Sequence, residues 1–167
     1  MRRFFYLLIS VFILLNIFFA TYYLTHKDLN FFTDVARDFL LYQEVDQKKI
    51  ILIGARSSTA GIFHGPLWIY LTYPGYILGH GDPLFMEGYW IFLIVVFVGS
   101  GYFVAKKIFG QKVALIYTLL LSGNMMFHAR SLINPHGALF LVPVFFLTIL
   151  WYWRYQKWRL LALHLFL

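Results

Sequence analysis

The chain has 167 residues, 61% of them hydrophobic and 22% aromatic, and a formal net charge of +7. A soluble domain is about half apolar, so the composition points to an integral membrane protein; the basic residues sit mainly at the ends of apolar runs, where they set topology, and a nucleic-acid partner is rejected on that ground. With no cysteine, disulfides, thiolate metal sites and cysteine nucleophiles are excluded.

A first span is expected over about 4–24, close to the ~20 residues that cross a bilayer. It carries no charge, Asn16 is its most polar member, and Arg2 and Arg3 precede it. A signal peptide has a shorter apolar core and a small-residue cleavage site, so this run reads as an uncleaved anchor with a cytoplasmic N-terminus. The window 25–83 follows. Thr33 is placed to cap a helix over about 33–45, in which Val35, Phe39 and Tyr42 recur at the spacing of a helix lying on the membrane surface. A small-residue loop, Gly54-Ala55-Arg56-Ser57-Ser58-Thr59-Ala60-Gly61, comes next. His64-Gly65-Pro66 then opens a second helix over about 66–78, with Pro at its first position. That helix is too short to span and carries Pro74 midway, which suits an interfacial or re-entrant segment. Its Trp68, Tyr70, Tyr73 and Tyr76 are expected to form an interface belt.

Gly81-Asp82-Pro83 makes a turn into a second span over about 84–105, followed by Lys106, Lys107 and Lys112. A third span covers about 113–130. A fourth covers about 138–153 and precedes Arg154, Lys157 and Arg159, and 160–167 reads as the start of a fifth. The fold class is therefore all-α: a polytopic transmembrane helical protein with two juxtamembrane helices in its first external loop. Alternating spans put Arg2/Arg3, Lys106/Lys107/Lys112 and Arg154/Lys157/Arg159 on one side, which by the positive-inside rule is the cytoplasm. All seven acidic residues lie between Asp28 and Glu87, almost all in the window left on the other side. The expected location is the plasma membrane, with that window extracytoplasmic.

In the window, Asp34, Arg37 and Asp38 fall within reach of one helix face. Two carboxylates that close repel each other unless a cation or a proton stands between them; Arg37 or a divalent cation held by Asp34 and Asp38 would serve. Such a carboxylate at the mouth of a membrane cavity can take the proton of an incoming hydroxyl. Arg37, Arg56 and His64, with loop N–H groups, can meet an anionic leaving group such as a lipid phosphate. The same residues also fit a solvated face of an amphipathic helix, and His64 before Gly-Pro fits a turn. His128, Arg130 and Asn134-Pro135-His136 fall on the same external side.

The ordered series Thr-Asp-Val-Ala-Arg-Asp, Gly-Ala-Arg-Ser-Ser, His-Gly-Pro-Leu-Trp-Ile-Tyr-Leu, Gly-Asp-Pro, Lys-Lys-Ile-Phe-Gly and Arg-Ser-Leu-Ile-Asn-Pro, set between apolar spans, resembles the N-terminal part of the GT-C membrane glycosyltransferases. The likeness is to the group of protein O-mannosyltransferases and the lipid A aminoarabinose transferase, and it extends over nearly the whole chain. It implies a polyprenyl-phosphate-linked sugar donor and transfer on the extracytoplasmic face to a glycan, lipid or protein acceptor. It places Asp34 at the catalytic aspartate and Arg37 at the arginine of the family's motif. Asp38 is a second catalytic candidate, and Arg37, Arg56, His64 and Arg130 are phosphate-binding candidates. The chain departs from the family in having Val35 where Glu is frequent and His64 where a Lys meets the lipid phosphate. Family members are longer, so the chain reads as an N-terminal fragment, expected to be inactive alone. The alternative is a non-catalytic polytopic membrane protein, a transporter piece or complex subunit. A transporter would be expected to place its ionisable residues inside the spans.

Overall fold

Long apolar stretches without water can satisfy every backbone polar group inside one segment only as helices, and the chain takes that course throughout. The computed structural model describes residues 2–129 and 134–156. Among these residues there are six helices, α1 (Arg2–Thr25), α2 (Thr33–Lys48), α3 (Leu67–Leu78), α4 (Pro83–Phe109), α5 (Gln111–His128) and α6 (Asn134–Tyr155). The only β pairing among them is an isolated antiparallel bridge between Arg56 and Phe63. Three stretches are long and apolar enough to cross a membrane: Phe4–Thr25, Pro83–Phe109 and His136–Tyr155. α5, expected as the core of a third span, is not one of them; it carries Gln111, Lys112, Asn124 and His128 in its 18 residues. The expected start of a fifth span, and Arg130, lie outside the described residues.

The termini of the elements follow local chemistry, with two corrections to the sequence reading. Thr33 does not cap α2. It is the first helical residue, Phe32 stands at the extended N-cap position, and no side chain caps the end. The helix also runs a turn beyond Val45 and stops where Lys49 turns to φ 67° and its N–H bonds Val45 O at 2.8 Å. Pro66 is likewise not the first residue of α3 but its N-cap, its carbonyl accepting from Tyr70 N at 3.1 Å. α4 begins as the turn predicts: Asp82 accepts from Leu84 N at 3.1 Å and Pro83 holds the first position. It runs past 105 to Phe109, so Lys106 and Lys107 lie in its last turn, where cations favour the helix dipole.

α5 packs along both α1 and α4, α6 packs along α4, and α3 and α2 cover the α4 N-terminal half in turn. Close approach needs small residues: a Cβ on Gly101 would meet Tyr117 Oη at 2.5 Å. The α1–α5 seam is tied by Asn16 Nδ2, which donates to Ser122 Oγ at 3.0 Å. Side-chain hydrogen bonds of this kind between apolar helices stabilise by about 0.6 kcal/mol on average.

The bundle is polarised. Lys112 lies 6.0 Å from the Phe5 ring centroid, and Tyr155 Oη donates to Lys107 O at 3.2 Å. The N-terminus of α1, the α4–α5 turn and the C-terminus of α6 thus gather at one end, with the basic residues. At the other end Trp90 Nε1 donates to His128 O at 3.2 Å, and Trp68 of α3 lies flush on Gly137 in the first turn of α6. α2, α3 and the chain between them therefore sit over the end opposite the lysines.

Candidate functional site

The inner face of α2 is Val35, Asp38, Tyr42 and Val45, all buried and spaced three or four apart along one side of the helix. Asp38 is thus the one carboxylate on an otherwise apolar stripe. Tyr42 Oη bonds Thr72 Oγ1 at 2.7 Å, and Thr72 in turn donates to Trp68 O at 2.7 Å. Burial holds the Tyr42 phenol well above its usual pKa, so it stays protonated and keeps that link between α2 and α3.

Arg37 stands between the two aspartates. Its Nη1 lies 3.0 Å from Asp34 Oδ1 and its Nε 3.8 Å from Asp38 Oδ1. Nη1 also donates to Arg56 O at 2.9 Å. The environments of the two acids differ sharply. Asp34 is half exposed, open to an incoming group. Asp38 is 1% exposed, and neither of its carboxylate oxygens accepts a hydrogen bond of ordinary geometry. Burial pushes its pKa from 3.8 to about 6 against the opposing pull of Arg37, while Asp34 adds to the rise. The Trp68 indole N–H is turned towards it and lowers the value, but the two do not close to hydrogen-bonding geometry. Buried polar groups left in this way are costly and call for a role.

The small-residue segment is a hairpin. Gly54 N donates to His64 O at 3.0 Å, His64 N to Ala55 O at 2.8 Å and Ser57 N to Ile62 O at 2.9 Å. Gly61 turns the chain at φ 79°, a conformation open to glycine. Gly54 is required by the close crossing of the two arms, since a Cβ there would sit 2.5 Å from Gly65 O. The Arg56 and His64 side chains are both exposed. Arg56 has no ion pair among the described residues. His64 borders a pocket of about 260 Å³ between α3 and α6, lined by Leu67, Trp68, Leu71, Gly137 and Leu141 among others.

Asp34, Arg37 and Asp38 thus come together as their spacing predicts, and the Arg56 backbone joins them; the Arg56 and His64 side chains belong to the hairpin beside them. Arg37 occupies the place where a divalent cation was the other option. Among the described residues no group of three or more His, Asp or Glu is arranged to hold a metal. The aromatic residues of α3 are largely internal ties. Trp68 is buried, Tyr73 Oη donates to Asp46, and Tyr70 Oη both accepts from Ile51 N at 2.7 Å and donates to Ile51 O at 2.8 Å.

One residue escaped the sequence reading. Glu87 is fully buried in the first turns of α4, three residues before Trp90, whose ring meets that of Trp68 edge-on at 5.0 Å. The available signal was its position: it is the one acidic residue inside the three apolar stretches, and an ionisable group at membrane depth is a site candidate by default.

No family model, curated protein or solved structure matches the chain.

Proposed function

We propose that the chain carries the extracytoplasmic site of a glycosyltransferase of GT-C type, which moves a sugar from a polyprenyl phosphate to an acceptor hydroxyl. The observation that carries the reading is the Asp34–Arg37–Asp38 group, lying at the end of the bundle opposite the gathered lysines. By the positive-inside rule that end faces outward. In this reading the bundle crosses four times: α4 and α5 are joined by Gly110 alone and packed side by side, so α5 returns across the bilayer that α4 has crossed. Its 18 residues reach about 27 Å, near the ~30 Å hydrocarbon core. α2 and α3 are the juxtamembrane helices.

Asp34 is the base, because it is the accessible carboxylate. It takes the acceptor hydroxyl proton as the acceptor oxygen bonds the anomeric carbon and the bond from that carbon to the phosphate oxygen breaks. The polyprenyl phosphate leaves as the anion, with inversion as the resemblance implies. Arg37 is engaged by both carboxylates and by Arg56 O, so it holds the Asp34 carboxylate in place. Arg56, His64 and Arg130 are then the cations for the phosphate. The pocket beside His64 opens along α6, where a lipid tail stays in the bilayer while its phosphate meets the hairpin. Asp38 acts through Arg37 and is a positioning residue.

The test is photolabelling of the chain in membranes with a photoreactive polyprenyl-phosphate sugar. Capture at 54–66, reduced by Arg56→Ala, is the expected result. Absence of capture by folded chain would remove the donor site and favour a non-catalytic membrane protein.

A further inference from the structure

Residues 50–53 connect α2 to the hairpin outside any helix, and they are fixed rather than slack. The two hydrogen bonds between Tyr70 Oη and Ile51 clamp the segment to α3 and bury Ile51. Its neighbours are consequently turned outward. Leu52 is 84% exposed, and Ile50, Ile53 and, across the hairpin, Ile62 and Phe63 are also at least half exposed. A soluble surface rarely concentrates large apolar side chains in one place. Here they follow directly on Lys48 and Lys49.

We infer that this ridge dips into the outer leaflet of the bilayer that the chain itself spans, with the flanking cations at the level of lipid phosphates. Depth is the first argument. Trp68 of α3 lies against Gly137, in the first turn of the apolar stretch of α6, so the start of α3 is level with the point where a candidate span begins. Tyr70, two residues on, holds Ile51. The ridge therefore stands at the height of the membrane interface. Charge is the second argument. Lys48 pairs with Glu44 at 2.7 Å, whereas Lys49 is exposed and has no ion pair among the described residues. Apolar side chains beside lysines match the acyl boundary and the anionic headgroups above it. The consequence is a loop held at fixed depth by its own side chains. The inference stands apart from the glycosyl-transfer chemistry, since it concerns only where the loop rests.

The chain has no cysteine, so a single introduced thiol reports one position. Leu52→Cys and, as an independent probe, Ile62→Cys are labelled with an environment-sensitive fluorophore in 3:1 phosphatidylcholine–phosphatidylglycerol vesicles. Gln43→Cys on the exposed face of α2 and Phe103→Cys on α4 serve as water and lipid references. The expected result is loss of most emission at both ridge positions with lipid spin-labelled at a shallow acyl carbon, and protection from aqueous iodide. Iodide quenching equal to that at Gln43 would overturn the inference. So would protection from both quenchers, which would mean that a second copy or another protein covers the ridge.

Discussion

Replacing Asp38 by Asn tests the electrostatics of the site through stability, without any substrate. The Asp38 carboxyl is buried, and its pKa is raised from 3.8 to about 6 by that burial, net of the attraction of Arg37 and the repulsion of Asp34. The gap corresponds to about a hundredfold in proton affinity, or about 3 kcal/mol. Between these two values the folded chain holds a proton that the unfolded chain has released. Its contribution to stability therefore falls as pH rises through that window, and the full cost stands above about pH 7. Below about pH 3 both states are protonated and the cost vanishes, and at about pH 4 most of it is already gone. Asn is neutral at every pH, keeps the shape and can accept from Arg37. Asp38→Asn should accordingly change stability little at pH 4 and raise it by about 3 kcal/mol at pH 7.5. The assay is unfolding in mixed micelles, followed by tryptophan fluorescence at the two pH values for both chains. A gain equal at both pH values, or a loss at pH 7.5, would refute the reasoning; the loss would mean that pairing with Arg37 outweighs burial. A carboxylate that lowers stability at neutral pH is of the kind retained for function.

Other substitutions probe the frame around the site. Gly137→Ala would normally favour a helix by about 1 kcal/mol, but the new Cβ would lie 2.2 Å from Trp68 Cζ3. Overpacking of about 1–3 kcal/mol should win, with a shift in tryptophan emission as Trp68 is displaced; a rise in melting temperature would contradict the flush contact. Tyr70→Phe removes both bonds to Ile51 and should cost about 1–3 kcal/mol, with faster hydrogen exchange at the Ile51 amide; unchanged exchange would show that the clamp is not the restraint. Asn16→Ala and Ser122→Ala should each weaken α1 docking by about 0.6 kcal/mol, and the double variant should cost no more than either one, as measured by unfolding in a double-mutant cycle. Additive losses would show that the two side chains act separately.

Much of the frame was legible because the signals were long and redundant. Apolar runs flanked by basic residues located α1, α4 and α6, and the Gly-Asp-Pro turn gave the start of α4 through Asp82. Single-residue signals fared less well. Thr33 has a capping side chain, but Phe32 takes the N-cap position, so propensity lost to the packing of the entering chain. The Asp34, Arg37 and Asp38 spacing placed the three together, yet it did not say which acid turns inward. The answer lay in the apolar stripe: Asp38 is three residues from Val35 and four from Tyr42, and so shares their buried face. Local spacing also could not foresee that Arg37 would reach the backbone of Arg56, because that contact joins segments 19 residues apart. The aromatic residues of α3 read as a belt since sequence shows their amphipathic character but not their partners Asp46 and Ile51.

The bond from Asn16 to Ser122 joins residues 106 positions apart. During synthesis α1 is made with the Asn16 amide unanswered, and the helix that answers it is made much later. α1 also meets α4, but the Asn16 amide finds its partner only when α5 is in place. The order in which these helices are made is thus not the order in which their polar contacts can close.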